Sequence, residues 1–130
     1  MRSAALISIV DDDESIREST KGFVRSLGYQ AATFASAEEF IQSDRVGSTS
    51  CLIADVQMPG LSGIDLQRWL IAQGIQVPTI FITAFPEEGT RVRALAAGAI
   101  GYLGKPFSDE SLVKCLDSAL GSADERSPQR

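Results

Sequence analysis

Two hydrophobic periods alternate along the chain. Ala5 to Val10 is a short apolar run rich in Ile and Val that stops at Asp11, the pattern of a strand covered on both faces. Ile16, Thr20, Phe23, Val24 and Leu27 then recur at helical spacing over Glu14 to Leu27, and Gly28 stands where a helix closes. This strand-then-helix unit keeps returning. Tyr29 to Phe34 predicts a second, less apolar strand, and Ser36-Ala37-Glu38-Glu39 a capping box opening a short helix that presents Phe40 and Ile41. Cys51 to Ala54 predicts a third strand, stopping at Asp55. After the turn-rich loop Gln57-Met58-Pro59-Gly60-Leu61, Ser62 with Asp65 caps a helix that shows Leu66, Trp69 and Leu70. Thr79 to Ile82 predicts a fourth strand ending at Thr83, followed by a helix over Glu87 to Ala97 with Val92, Leu95, Ala96 and Ala99 in register. Gly101 to Leu103 reads as a short fifth strand, and Asp109 to Leu120 as a helix with Leu112, Val113, Leu116, Ala119 and Leu120 inward.

Strands that alternate with helices in this way predict an α/β domain, because parallel neighbours need helical crossovers. Right-handed crossovers leave few topologies, of which a doubly wound five-stranded parallel sheet in the order 2-1-3-4-5, the flavodoxin-like (βα)5 arrangement, suits the pattern. Residues 1–120 are expected to form this domain. Gly121 to Arg130 carries no large apolar side chain and is expected to be a disordered tail or the start of an interdomain linker.

Composition narrows the function. With 130 residues, 44% of them hydrophobic and 22% charged, the chain suits one folded unit with a real core. Its net charge of −5 is the wrong sign for a stand-alone nucleic-acid binder, so DNA is within reach only through something else. The absence of histidine removes Ser-His and Cys-His catalytic pairs, His-ligated zinc and a phosphohistidine carrier. Cys51 and Cys115 lie far apart inside apolar segments, without zinc or redox spacing, and read as small buried hydrophobes. The apolar stretch after Met1 is too short for a signal peptide or a membrane span, so a soluble cytoplasmic protein is expected.

The candidate chemistry sits at the carboxyl ends of the strands. Asp11 and Asp12 follow the first, Asp55 ends the third, Thr83 the fourth, and Lys105 lies just past the fifth. In a parallel sheet these ends share one edge, and in the order 2-1-3-4-5 the first and third strands flank the switch point where a ligand crevice opens. Carboxylates gathered there repel one another unless a hard divalent cation intervenes, and oxygen-only ligands select Mg²⁺, or Mn²⁺ in its place, over zinc. Lys105 offers a point charge and Thr83 a hydroxyl, so a phosphoryl group carried on a carboxylate can be held by cation, ammonium and hydroxyl together. The competing reading of Asp11-Asp12-Asp13-Glu14 is a helix first turn complementing the macrodipole, and it fits Asp13 and Glu14 better than a ligand role does. Phe107 and Trp69 read as core aromatics, and Tyr102 is open between core and function.

Ile9-Val10-Asp11-Asp12-Asp13, Ile53-Ala54-Asp55-Val56-Gln57-Met58-Pro59-Gly60, Ile82-Thr83-Ala84 and Gly101-Tyr102-Leu103-Gly104-Lys105-Pro106-Phe107 together resemble the receiver domain of two-component response regulators, over Leu6 to Leu120. The resemblance implies that Asp55 is the phosphoacceptor, taking its phosphoryl group from the phosphohistidine of a sensor histidine kinase. It implies Mg²⁺ on Asp12, Asp55 and the backbone carbonyl of Gln57, with Asp11 acting mostly through water. Thr83 and Ala84 would stand at the phosphate as the switch segment, Tyr102 would be the rotating aromatic, and Lys105 the phosphate partner in a cis Lys105-Pro106 bond. The surface of the fourth helix, fifth strand and fifth helix would then serve a homodimer or an effector. Phe34-Ala35-Ser36-Ala37-Glu38-Glu39-Phe40 resembles, more loosely, receivers of nitrogen-fixation-type regulators, which implies a transcriptional output.

Alternatives from other classes fare worse. A stand-alone regulator or relay intermediate is of the same class, keeps the same site and stays open. A haloacid dehalogenase-like phosphohydrolase needs a second Asp two positions past its nucleophile, where this chain has Gln57, and an inserted cap. A flavodoxin-like nucleotide or flavin binder needs a phosphate-cradling loop where Asp11-Asp12-Asp13-Glu14 would repel the phosphate.

Overall fold

The computed structural model describes residues 5–121. Its elements follow in the order β1 (Leu6–Val10), α1 (Glu14–Ser26), β2 (Gln30–Phe34), α2 (Ala37–Gln42), a 3-10 turn at Val46–Ser48, β3 (Cys51–Asp55), α3 (Gly63–Ala72), β4 (Thr79–Thr83), α4 (Glu88–Ala96), β5 (Gly101–Gly104) and α5 (Asp109–Leu116). The sheet is parallel, in the order β2-β1-β3-β4-β5. The chain thus steps outward from β1 to β2, returns past β1 to β3, and continues in one direction, which puts the reversal between β1 and β3.

Strand alternation divides the core into two layers. Ile7, Ile9, Cys51, Ile53, Ile80 and Ile82 point to the face covered by α1 and α5, where Val24, Leu112 and Leu116 meet them. Val10, Leu52, Ala54 and Phe81 point the other way, against Phe40 of α2, Leu66 and Leu70 of α3 and Ala94 of α4. Because both faces are covered, β1, β3 and β4 are buried at every position. Asp55 and Thr83 belong to their strands, and Gly104 extends β5 by one residue beyond the expected end.

Caps follow the sequence in most places. Ser62 and Asp65 form a reciprocal capping box, and Asp13 caps α1 by accepting from the Ile16 amide. At α2 the box is opened by one residue: Ser36 accepts from the Glu39 amide, but the Glu39 carboxylate reaches past the cap to the amide of Ala35.

Some helical faces differ from expectation. On α4 the residue that buries is Ala94, whose carbonyl accepts from the buried Gln67 side chain of α3, while Val92 is 51% exposed and Ala96 is also outward. Ala94 is the one fully buried residue of α4, fewer than its apolar content suggests. Leu27 is exposed beyond the end of α1. The last helix is α-helical only to Leu116, and its final turn, Asp117–Gly121, widens to a π-helix, so Gly121 belongs to the helix and not to the tail. The rest of that expected tail, residues 122–130, and the start of the chain, residues 1–4, lie outside the described residues. Among the described residues no helix is long and apolar enough to cross a membrane.

Candidate functional site

Every strand of a parallel sheet delivers its last residue to the same rim, and four of the candidate side chains arrive by that route. Asp11 follows β1, Asp55 ends β3, Thr83 ends β4 and Lys105 follows β5. Backbone ladders set their heights: Asp55 is in register with Ile82, Thr83 with Gly104, and the Lys105 amide donates to the Thr83 carbonyl at 2.7 Å.

Lys105 Nζ stands between two carboxylates, 3.2 Å from Asp55 Oδ2 and 3.2 Å from Asp11 Oδ2. The first contact is a hydrogen bond; the second is an ion pair without hydrogen-bond direction, leaving Asp11 Oδ2 buried with no donor aimed at it. The other oxygen of Asp11 accepts from the Asp13 amide at 2.9 Å, and Asp55 Oδ1 accepts from the Gln57 amide at 3.3 Å. Asp12 is exposed beside them. One carboxylate oxygen from each of Asp11, Asp12 and Asp55 lies within 4.8 Å of the other two.

The electrostatics follow from this crowding. Burial, then the charge of Asp11, push Asp55 up from 3.8 to about 6, against the smaller opposing pull of Lys105 and the Gln57 amide. Burial on its own would lower Lys105, but Asp11 and Asp55 outweigh it and hold the ammonium above its ordinary range. Three acids therefore share the rim with the Lys105 ammonium, which pairs with two of them, Asp11 and Asp55. Such an excess of oxygen donors, one of them buried without a directed partner, fits a hard divalent cation of the Mg²⁺ class, and the absence of nitrogen and sulfur ligands disfavours softer metals.

Thr83 is wholly buried and its hydroxyl is already engaged. It donates to Gln57 Oε1 at 2.6 Å and accepts from the Phe85 amide at 3.0 Å. Ala84 follows it, exposed at the rim. Tyr102 on β5 is partly buried, and its hydroxyl is buried without a partner. The Lys105–Pro106 peptide is cis. Phe107 and Trp69 pack partly buried at the edges of the two cores.

Several contributors were not visible in the sequence pattern. Arg17 of α1 donates to the Asp11 carbonyl at 2.8 Å, one helical turn beyond the residues that look like ligands. Gly63 opens α3 directly under β3, where an added Cβ would overlap the Asp55 carbonyl. Glu38 of α2 reaches the Leu61 amide in the loop after Asp55. The Gln57-to-Thr83 bond depends on a side-chain rotamer that no spacing reveals.

Other clusters do not compete with this rim. Cys51 is buried, burial above all pushing its thiol up to about 12, and Cys115 is likewise raised, so neither supplies a thiolate. A cavity of about 580 Å³ between α3 and α4 opens at the amino ends of the strands and is lined by Leu70, Ile71, Val77 and Ile100, without an ionisable group.

A family profile described as the response regulator receiver domain matches residues 7–117. The chain is 41% identical over 126 residues to nodulation protein W of Bradyrhizobium diazoefficiens, covering 97% of this chain and 54% of that one. It is 32% identical over 124 residues to the transcriptional regulatory protein FixJ of the same organism, covering 95% of this chain and 60% of that one. It superposes on the structure of the response regulator StyR with a TM-score of 0.85 at 39% identity, covering 95% of this chain and 63% of that one. The chain thus spans little more than half the length of the curated relatives it matches.

Proposed function

The chain belongs to the response regulator receiver family, and from that premise we propose that Asp55 accepts a phosphoryl group from the phosphohistidine of a sensor kinase. The observation that carries this reading is the carboxylate of Asp55 at the end of β3, sharing the Lys105 ammonium with Asp11 beside a third acid. In the transfer an Asp55 carboxylate oxygen forms a bond to phosphorus as the bond from phosphorus to the kinase's imidazole nitrogen breaks, and the electron pair leaves with the imidazole. Asp55 must be ionised to attack, and Lys105 favours that state. Asp12, Asp55 and the Gln57 carbonyl would hold Mg²⁺, or Mn²⁺ in its place, with Asp11 acting through water. When bound, the cation neutralises the carboxylates and offsets charge on the phosphoryl oxygens.

Phosphorylation adds acceptor oxygens at the rim. Lys105 stays with the new anion. The Thr83 hydroxyl has to exchange Gln57 Oε1 for a phosphoryl oxygen, so Gln57 competes for the switch proton and opposes activation. The shift of Thr83 and of the Ala84 segment then reaches Tyr102, whose partnerless hydroxyl leaves its ring without a polar tether, and repacks the face of α4, β5 and α5. That face already exposes Phe85 and Val92 just before and within α4. It would serve a second copy of the chain or an effector, with transcription as the output and the cytoplasm as the setting. The domain acts as a signalling switch, not as an enzyme turning over an external substrate.

The test is phosphoryl uptake from acetyl phosphate, followed by intact mass. Uptake should require Mg²⁺ in the wild type and be absent from Asp55→Asn; undiminished labelling of that variant refutes the assignment.

A further inference from the structure

The Asp55 loop is held from outside by a residue that carries no part of the chemistry. Between Gln57 and Ser62 the chain crosses the rim without regular structure, burying Met58 and partly burying Leu61. Among the described residues, one hydrogen bond ties the Met58–Leu61 stretch to the rest of the protein: the Leu61 amide donates to Glu38 Oε2 at 3.0 Å. Glu38 comes from α2, far away in sequence, and α2 is itself fixed by the Ser36 cap and by Phe40, whose ring meets Phe34 edge to face at 5.2 Å. The carboxylate also lies flat against Gly60. A Cβ there would come within 2.5 Å of Glu38 Oε2, and Gly60 has φ +78°, a conformation few side chains accept. The positive φ selects glycine here, and the Glu38 carboxylate fills the space that a Cβ would take.

At its other end the same loop presents Gln57, whose amide donates to Asp55 and whose side chain accepts from Thr83. Both ends of the loop are thus pinned, one on the reacting carboxylate and one on α2. We propose that Glu38 is a positioning residue for the Asp55 site: its carboxylate sets the path of the loop and thereby holds Gln57 in place between Asp55 and Thr83. The proposal rests on the role given above to Asp55. It assigns a task to the first glutamate of the Ser36-Ala37-Glu38-Glu39 motif, whose second, Glu39, serves the start of the helix.

The test compares wild type, Glu38→Ala, Glu38→Gln and Glu38→Asp by two readouts. The first is hydrogen exchange at the Leu61 amide in metal-free protein. The second is the Mg²⁺ concentration that half-saturates phosphoryl uptake from acetyl phosphate, with melting curves as the control for folding. In Glu38→Ala the Leu61 amide should exchange at least about tenfold faster, and the Mg²⁺ requirement should rise toward, at most, the about tenfold that follows loss of a partner bonded directly to a metal ligand. Glu38→Gln keeps an acceptor oxygen and should restore most of both. Glu38→Asp keeps the charge but shortens the reach to the Leu61 amide, and should raise the Mg²⁺ requirement in the same direction; if Glu38→Ala does not fold, this variant decides. An unchanged Mg²⁺ requirement in folded Glu38→Ala or Glu38→Asp, or a Glu38→Gln as impaired as Glu38→Ala, overturns the proposal. Failure of the wild type itself to take up phosphate would instead overturn the role of Asp55, while the Leu61 amide still reports on the contact.

Discussion

Replacing Asp55 by Asn should make the metal-free protein more stable at neutral pH, and only there. The Asp55 carboxyl titrates near 6 in the folded state against 3.8 for an ordinary Asp, because burial and Asp11 oppose its charge more than Lys105 supports it. A carboxyl raised in this way binds more protons folded than unfolded between about pH 4 and pH 6. Its contribution to stability is complete below the unfolded value and is lost as pH rises through the folded one. A shift of about two units corresponds to about 3 kcal/mol as an upper limit. Although the Asp55 side chain is only 6% exposed, it lies on the rim, where water and salt screen its neighbours, and about half that figure is the better expectation. Asn escapes the cost because it never ionises. Urea unfolding in chelator should therefore show wild type and Asp55→Asn nearly equal near pH 4 and separated by about 1.5 kcal/mol in favour of the variant at pH 7.5. Saturating Mg²⁺ should reverse the order, since a cation at a hundredfold its dissociation constant stabilises the form that binds it by about 2.7 kcal/mol. A gap of the same size at both pH values, or a wild type more stable than the variant at pH 7.5 in chelator, would refute the reasoning.

Two further substitutions separate the roles at the rim. Asp12→Ala removes the exposed member of the acidic cluster, so calorimetry should show Mg²⁺ affinity reduced at least about tenfold while the melting temperature in chelator holds or rises; equal affinity in variant and wild type would contradict a ligand role. Tyr102→Phe removes a buried hydroxyl that has no partner, and should raise stability by about 1 kcal/mol in denaturant titration. A loss of similar size would mean that the hydroxyl is bonded in solution.

The parts of this site that could be read from sequence are those that topology delivers. Asp11, Asp55, Thr83 and Lys105 each sit where an apolar run stops, and a parallel sheet takes such stops to one edge whatever the details of packing. The face of α4 was harder. The periodicity of α4 names an apolar side but not how much of it the sheet covers, so Val92 was expected inward and lies in solvent while Ala94 makes the contact. The supporting residues were hardest, because Glu38 and Arg17 act through backbone atoms of other segments, and any residue type can offer an amide or a carbonyl. Nothing in the identity of Leu61 marks it as the partner of a carboxylate.

The central claim is that Asp55, among three neighbouring acids, is the one that becomes phosphorylated. Borohydride reduces an aspartyl phosphate to homoserine, so treating the acetyl phosphate-labelled protein and sequencing its peptides locates the phosphoryl group directly. Homoserine is expected at position 55 in a Mg²⁺-dependent amount. Its appearance at Asp11 or Asp12, or at none of the three in a protein that has gained the phosphoryl mass, would contradict the account.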